Sequence, residues 1–143
     1  MDVAVKSVTI ELVSTTKNQP GVEFPIDKLK ITAVIQDVGP VKANQAFTVK
    51  YFKNAHVTSV NIPAPTSAGQ SWSLVHSDTY IHDRAPQYLF KIYAPFDQCP
   101  NQNNEILIDL NDELLHKNGK QDQSDPSIGI SQPSTQPTAP ILF

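Results

Sequence analysis

Between Leu29 and Leu110, apolar side chains fall on every second residue in short runs, and Pro, Gly or Asn stops each run. A period of two marks a strand with one buried face. The runs are Leu29-Ile31-Ala33-Ile35, Phe47-Val49-Tyr51, Val60-Ile62, Trp72-Leu74-His76, Tyr88-Phe90-Ile92-Ala94 and Ile106-Ile108-Leu110. Gly39-Pro40, Pro63, Pro65, Ala68-Gly69-Gln70 and the polar stretch from Pro95 to Asn104 separate them. An earlier run begins with Val3 and Val5 and resumes on the opposite parity at Val8, Ile10 and Leu12. One extra residue near Lys6-Ser7 accounts for the phase change. It predicts a β-bulge or a strand that changes sheets.

Seven short strands with frequent turn signals predict an all-β, immunoglobulin-like seven-stranded antiparallel β-sandwich over residues 1–110. A short helical turn is expected over 111–119. Asn111 is its cap, Asp112 and Glu113 suit its first turn, His116 and Lys117 its last, and Gly119 ends it. From Lys120 the composition changes to Pro, Gln and Ser, so 120–143 reads as an extended C-terminal arm with an apolar tip, Ile141-Leu142-Phe143. Such a segment buries too little to offset its own ordering entropy and is expected to borrow order from a partner.

Size and charge narrow the function classes. The chain has 143 residues, enough for one sandwich and an appendage. Its net charge is −3, which gives nucleic acid no basic face to bind. Only 17 % of residues are charged, so Asn, Gln, Ser and Thr carry much of the surface polarity, as on many extracellular and virion surfaces. The single cysteine, Cys99, forms no internal disulfide and reads as a small apolar residue at a turn. No apolar run approaches the ~20 residues of a membrane helix, and no membrane insertion is expected. The opening Met-Asp-Val-Ala-Val-Lys lacks the pattern of a leader peptide.

The strand order and turn residues resemble the CARDB group, the cell-adhesion-related domains found in bacteria. Asp2-Val3-Ala4-Val5-Lys6-Ser7-Val8-Thr9-Ile10 is similar to that family's opening strand. Val34-Ile35-Gln36-Asp37-Val38-Gly39, Ala43, Phe47-Thr48-Val49 and Tyr51-Phe52 resemble its next block, with Asp37 where the family usually has Asn. Ala68-Gly69-Gln70-Ser71 and Asn101, Asn103 and Asn104 resemble two of its turns, although the leading Glu of the second is absent. The resemblance implies an immunoglobulin-like spacer or adhesion unit. The chain after 119 lies outside it.

No catalytic, cofactor-binding or metal-binding set emerges from the spacing, and no cofactor is expected. His76, Asp78, His82 and Asp83 form the densest ligand-type cluster, but no second pair completes a zinc shell. Asp97, Asn101, Asn103, Asn104 and Glu105 offer oxygens of the kind calcium takes. Their spacing is not that of an EF-hand, and they read as an Asx-turn network. Ser77 beside His76 and Asp78 is a triad in letters only, since adjacent strand residues face opposite ways. Trp72, Tyr80, Tyr88 and Tyr93 are the aromatic residues a sugar platform could use, but Trp72 and Tyr88 sit at core parities of their strands and read as packing.

Phe52 and Tyr93 are off-phase with their strands and point outward, which suggests an interface patch. Together with Ile141, Leu142 and Phe143 they are the expected partner-binding residues. The chain reads as a non-catalytic structural or assembly protein that joins other protein subunits, homo- or hetero-oligomeric, through sheet edges and the arm. The expected setting is a virion decoration or tail component, or an extracellular filament or surface-layer subunit. The alternative is an extracellular adhesion module for carbohydrate or a host protein.

Overall fold

The structure, a computed structural model, describes residues 1–16, 25–81, 84–97, 103–124 and 141–142. Its strands are β1 (Val3–Thr16), β2 (Ile26–Asp37), β3 (Phe47–Lys53), β4 (His56–Ile62), β5 (Ser71–Ile81), β6 (Gln87–Tyr93), β7 (Glu105–Asp109), β8 (Lys120–Ser124) and β9 (Ile141–Leu142). A helix, α1 (Asp112–Asn118), lies between β7 and β8. A five-stranded sheet runs β8-β1-β2-β5-β9 and a four-stranded sheet runs β4-β3-β6-β7. Every pairing is antiparallel except β5 with β9.

The alternating runs face each other between the sheets. Leu29, Ile31, Ala33, Ile35 and Leu74 from one sheet, and Val49, Tyr88 and Phe90 from the other, have no solvent-accessible surface. Tyr51 lies in the middle of the aromatic packing, 5.0 Å from Phe90, 5.8 Å from Tyr88 and 4.7 Å from His76 between ring centroids. Phe47 meets Trp72 edge-on at 5.6 Å. Burying such side chains contributes about 1.5–3 kcal/mol each before ordering costs.

β1 carries its irregularity where the parity changes. Its register with β2 shifts between Val5 and Ser7, and Val3, Val5, Val8 and Ile10 are all fully buried. The bulge absorbs one residue and keeps both halves of the run on the core side, so β1 stays in one sheet throughout. A two-residue turn joins β3 to β4. Asn54 takes a left-handed φ of 51° there, which Asn tolerates better than most residues, and its Oδ1 accepts the Gln87 amide at 3.0 Å.

Helix α1 has both of its sequence signals in use. Asn111 Oδ1 accepts the Leu114 amide at 3.1 Å, and Gly119, at φ 76°, donates to the Leu115 carbonyl at 2.7 Å. Leu115 is fully buried and holds the helix on the core.

The described sheets hold nine strands rather than the expected seven, and the two additions come from the arm. After Gly119, whose carbonyl accepts the Leu12 amide at 2.8 Å, the chain continues as β8 along the edge of β1. Ile141 and Leu142 pair with Leu74 and Val75 on the other edge. The described parts of 120–143 therefore complete this sheet instead of leaving it. Backbone hydrogen bonding accounts for this, and it leaves no hydrophobic pattern in Lys120-Gln121-Asp122-Gln123-Ser124. Cys99, Phe143 and the strand-like stretch 127–131 lie outside the described residues.

Phe90 is the test of the core assignment. Phe90→Ala is expected to lower the unfolding free energy by about 3–5 kcal/mol, measured by chemical denaturation. A loss below about 1 kcal/mol would place Phe90 on the wrong face.

Candidate docking face

Because Phe47, Val49 and Tyr51 point into the core, Thr48, Lys50 and Phe52 point out. The pairing register carries that face across all four strands of the smaller sheet. Phe52 stands opposite Val57 on β4 and Leu89 on β6, and Leu89 stands opposite Leu107 on β7. The result is an apolar row, Val57-Phe52-Leu89-Leu107, across the full width of the sheet, about 14 Å at the usual strand spacing. Val57 is 47 % exposed and Leu107 49 %, while Phe52 and Leu89 are half-buried.

Polar rows flank it. Ser59, Lys50, Lys91 and Glu105 form the next row, and Asn61, Thr48 and Tyr93 the one beyond. Lys91 Nζ is 3.9 Å from a Glu105 carboxylate oxygen, a pair of little energetic weight at this exposure. Lys50 Nζ lies 4.6 Å and Lys91 Nζ 5.4 Å from the centre of the Tyr93 ring. Both are within reach of a cation–π attraction. A shallow groove of about 680 Å³ opens beside Tyr93, lined also by Phe47, Ala94, Pro95 and Asn104.

Phe52 and Tyr93 thus share one face, as their phase suggests, but stand two rows apart. Leu89, Val57 and Leu107 complete the apolar row and escaped the sequence reading. Each is apolar at an outward position, but only the register aligns them. Ile141 is half-buried against the core of its own chain, beside β5. Leu142 is 77 % exposed at the rim of the other sheet.

The remaining polar clusters are structural in their geometry. Asp78 accepts the Tyr88 hydroxyl at 2.6 Å and Lys53 Nζ at 3.0 Å, and the His76 ring packs against Tyr51 at an interplanar angle of 52°. Ser77 is exposed on the opposite face, and His82 and Asp83 lie outside the described residues. Trp72, Tyr80 and Tyr88 are 3 %, 4 % and 0 % exposed, too buried to offer a sugar-binding platform.

Under α1, the fully buried Asp27 collects Thr15 Oγ1 at 2.6 Å and His116 Nε2 at 2.7 Å. Tyr80 donates to Asp112, and His116 is 3.8 Å from the same carboxylate. Asp27, Asp112 and His116 are the one trio of metal-ligand type found among the described residues. The direct His116–Asp27 contact makes it a hydrogen-bonded clamp between helix and sheet. Burial pushes the Asp27 carboxyl up, but the bonds from Thr15, His116 and Tyr80 outweigh it and hold it below the ordinary carboxylate range.

A carboxyl held low adds stability above its unfolded value, and that stability is lost as pH falls through the folded one. Asp27→Ala is expected to cost about 2–4 kcal/mol at pH 7, read by urea denaturation. The gap between variant and wild type should narrow below about pH 4, the ordinary range of the carboxyl. An unchanged gap at pH 2–3 would rule out the ionised clamp.

Comparison of the chain with protein-family models, with curated proteins and with solved structures finds no match.

Proposed function

We propose that this chain is a non-catalytic docking module: an immunoglobulin-like sandwich of the CARDB kind that joins a larger protein assembly. The observation that carries the reading is the apolar row Val57-Phe52-Leu89-Leu107 on the outer face of the four-stranded sheet. Apolar groups aligned across four strands are what a partner surface buries. The strand order supports the immunoglobulin-like assignment, since β1-β2-β5 opposes β4-β3-β6-β7 with crossovers between the sheets after β2, β4 and β5.

The neighbouring row defines the partner's chemistry. Lys50 and Lys91 stand side by side in its centre. Stacking a second copy about an axis along the strands sets Lys50 against Lys91. An axis across the strands sets Glu105 against Asp109. Like charges oppose both arrangements. A different protein subunit, with an apolar ridge rimmed by Asp or Glu, suits the face better. A surface rich in uncharged polar residues is in keeping with a virion or extracellular setting. Adhesion to carbohydrate has weaker support, because the two lysines occupy the Tyr93 ring on which a sugar would stack.

Photo-crosslinking in the protein's native source tests the reading. A crosslinking side chain at Leu107 should capture one partner, and one at Lys6, on the other sheet, should not. The double variant Val57→Glu, Leu107→Glu should keep its melting temperature within about 2 °C, as expected for exposed positions, and lose incorporation into the parent assembly. Undiminished incorporation would move the docking surface elsewhere.

A further inference from the structure

We propose that two copies of this chain pair antiparallel along the outer edge of β4, which joins their four-stranded sheets into one continuous sheet of eight strands. The contact is separate from the apolar outer row and does not depend on it. The two sheets have four edges, and the described residues treat them unequally. β8 is mostly exposed and carries Lys120 and Asp122. β7 has only five residues and is bracketed by Glu105 and Asp109. β9 interrupts the outer edge of β5 at Leu74 and Val75.

β4 has none of these protections. It runs for seven residues, from His56 to Ile62, with no Lys, Arg, Asp, Glu or Pro among them. Its register with β3 is unbroken from Phe47–Ile62 to Lys53–His56, so no bulge twists the edge away. Among the described residues, β3 is the one strand that pairs with it, and no loop backbone bonds to it. A regular, uncharged strand with one open side is a template for another strand.

A second copy of β4 suits that edge. Antiparallel pairing centred on Ser59 uses the whole strand and sets Ser59 against Ser59. Thr58 then stands opposite Val60 of the other copy, on the side of the sheet that holds Val49 and Tyr51. β-branched pairs of this kind favour strand pairing. Charge separates this contact from stacking of the outer faces. Lys50 is the β3 neighbour of Ser59, so the nearest lysines of the two joined sheets stand three strand spacings apart, about 14 Å. That exceeds the screening length of about 8 Å at physiological salt, whereas stacked outer faces bring lysines into direct opposition. An edge of this length buries less than the roughly 1,600 Å² of a standard interface, so the dimer should be weak, with a Kd of about 10⁻⁵–10⁻³ M.

Analytical ultracentrifugation of the full chain, from about 10 µM to about 1 mM at neutral pH, tests the contact. Wild type should pass from monomer to dimer and stop there, because a two-fold contact closes on itself. Ser59→Glu and Ser59→Lys should each keep the melting temperature within about 2 °C and stay monomeric, since each sets like charges face to face on the dimer axis. Mixed one to one, the two variants should dimerise again, because opposite charges now meet. Leu107→Glu, at the far end of the apolar row, should dimerise as wild type does. A wild type that stays monomeric to about 1 mM or grows beyond the dimer, a dimer that survives Ser59→Glu, a mixture that stays monomeric, or a dimer lost in Leu107→Glu would overturn the proposal.

Discussion

An unpaired strand edge is the constraint that orders this molecule. A row of open amides and carbonyls recruits any other strand, so a stable sandwich covers its edges or makes them short and charged. Here the chain's own segments extend the larger sheet on both sides. β8 lies along β1 and the two residues of β9 lie along β5. β8 is five residues long, almost entirely exposed, and carries Lys120 and Asp122, as a safe terminal strand should. The polar segment after α1 is therefore part of the architecture, and the helix acts as the corner that returns the chain to β1.

This explains what the sequence made legible. Side-chain parity is local, so the inward faces of Leu29-Ile31-Ala33-Ile35 and Tyr88-Phe90-Ile92 could be read directly, as could the phase change near Lys6. Capping is also local, and Asn111 and Gly119 announce α1. Strand register is not local. Phe52 reads as outward from its own strand, but its alignment with Val57, Leu89 and Leu107 depends on three pairings that no single strand encodes. β8 was hidden for another reason: edge pairing through the backbone places little demand on side chains. Asp2 and Asn103 are 101 residues apart, and only the fold brings them together.

The two ends of the sandwich treat buried acid in opposite ways. At the helical end, Asp27 is fully buried yet meets three donors, and its charge is stabilised. At the other end, Asp2 meets one amide and a second acid, and its charge is penalised. Asp37 nearby is also pushed up by burial, against the Ala43 and Gly39 amides. A carboxyl raised in the folded state favours folding below its unfolded value, and that advantage is lost as pH rises through the folded one. Between about pH 4 and 6 the Asp2 end therefore grows less stable as pH rises, while Asp27 keeps the helical end clamped over that window.

On the proposed reading, stability and recognition are divided between the sheets. The five-stranded sheet uses the chain's own segments to extend both of its sides, β8 along β1 and β9 beside Leu74 and Val75 of β5. Among the described residues, the four-stranded sheet keeps an apolar outer row whose ends, Val57 and Leu107, are exposed. Docking through an edge depends mainly on backbone hydrogen bonds and discriminates weakly among partners. Docking through a face depends on side chains, and here on two lysines beside a narrow apolar row, so a partner must match both shape and sign. On the proposed reading, this face rather than a sheet edge selects the partner.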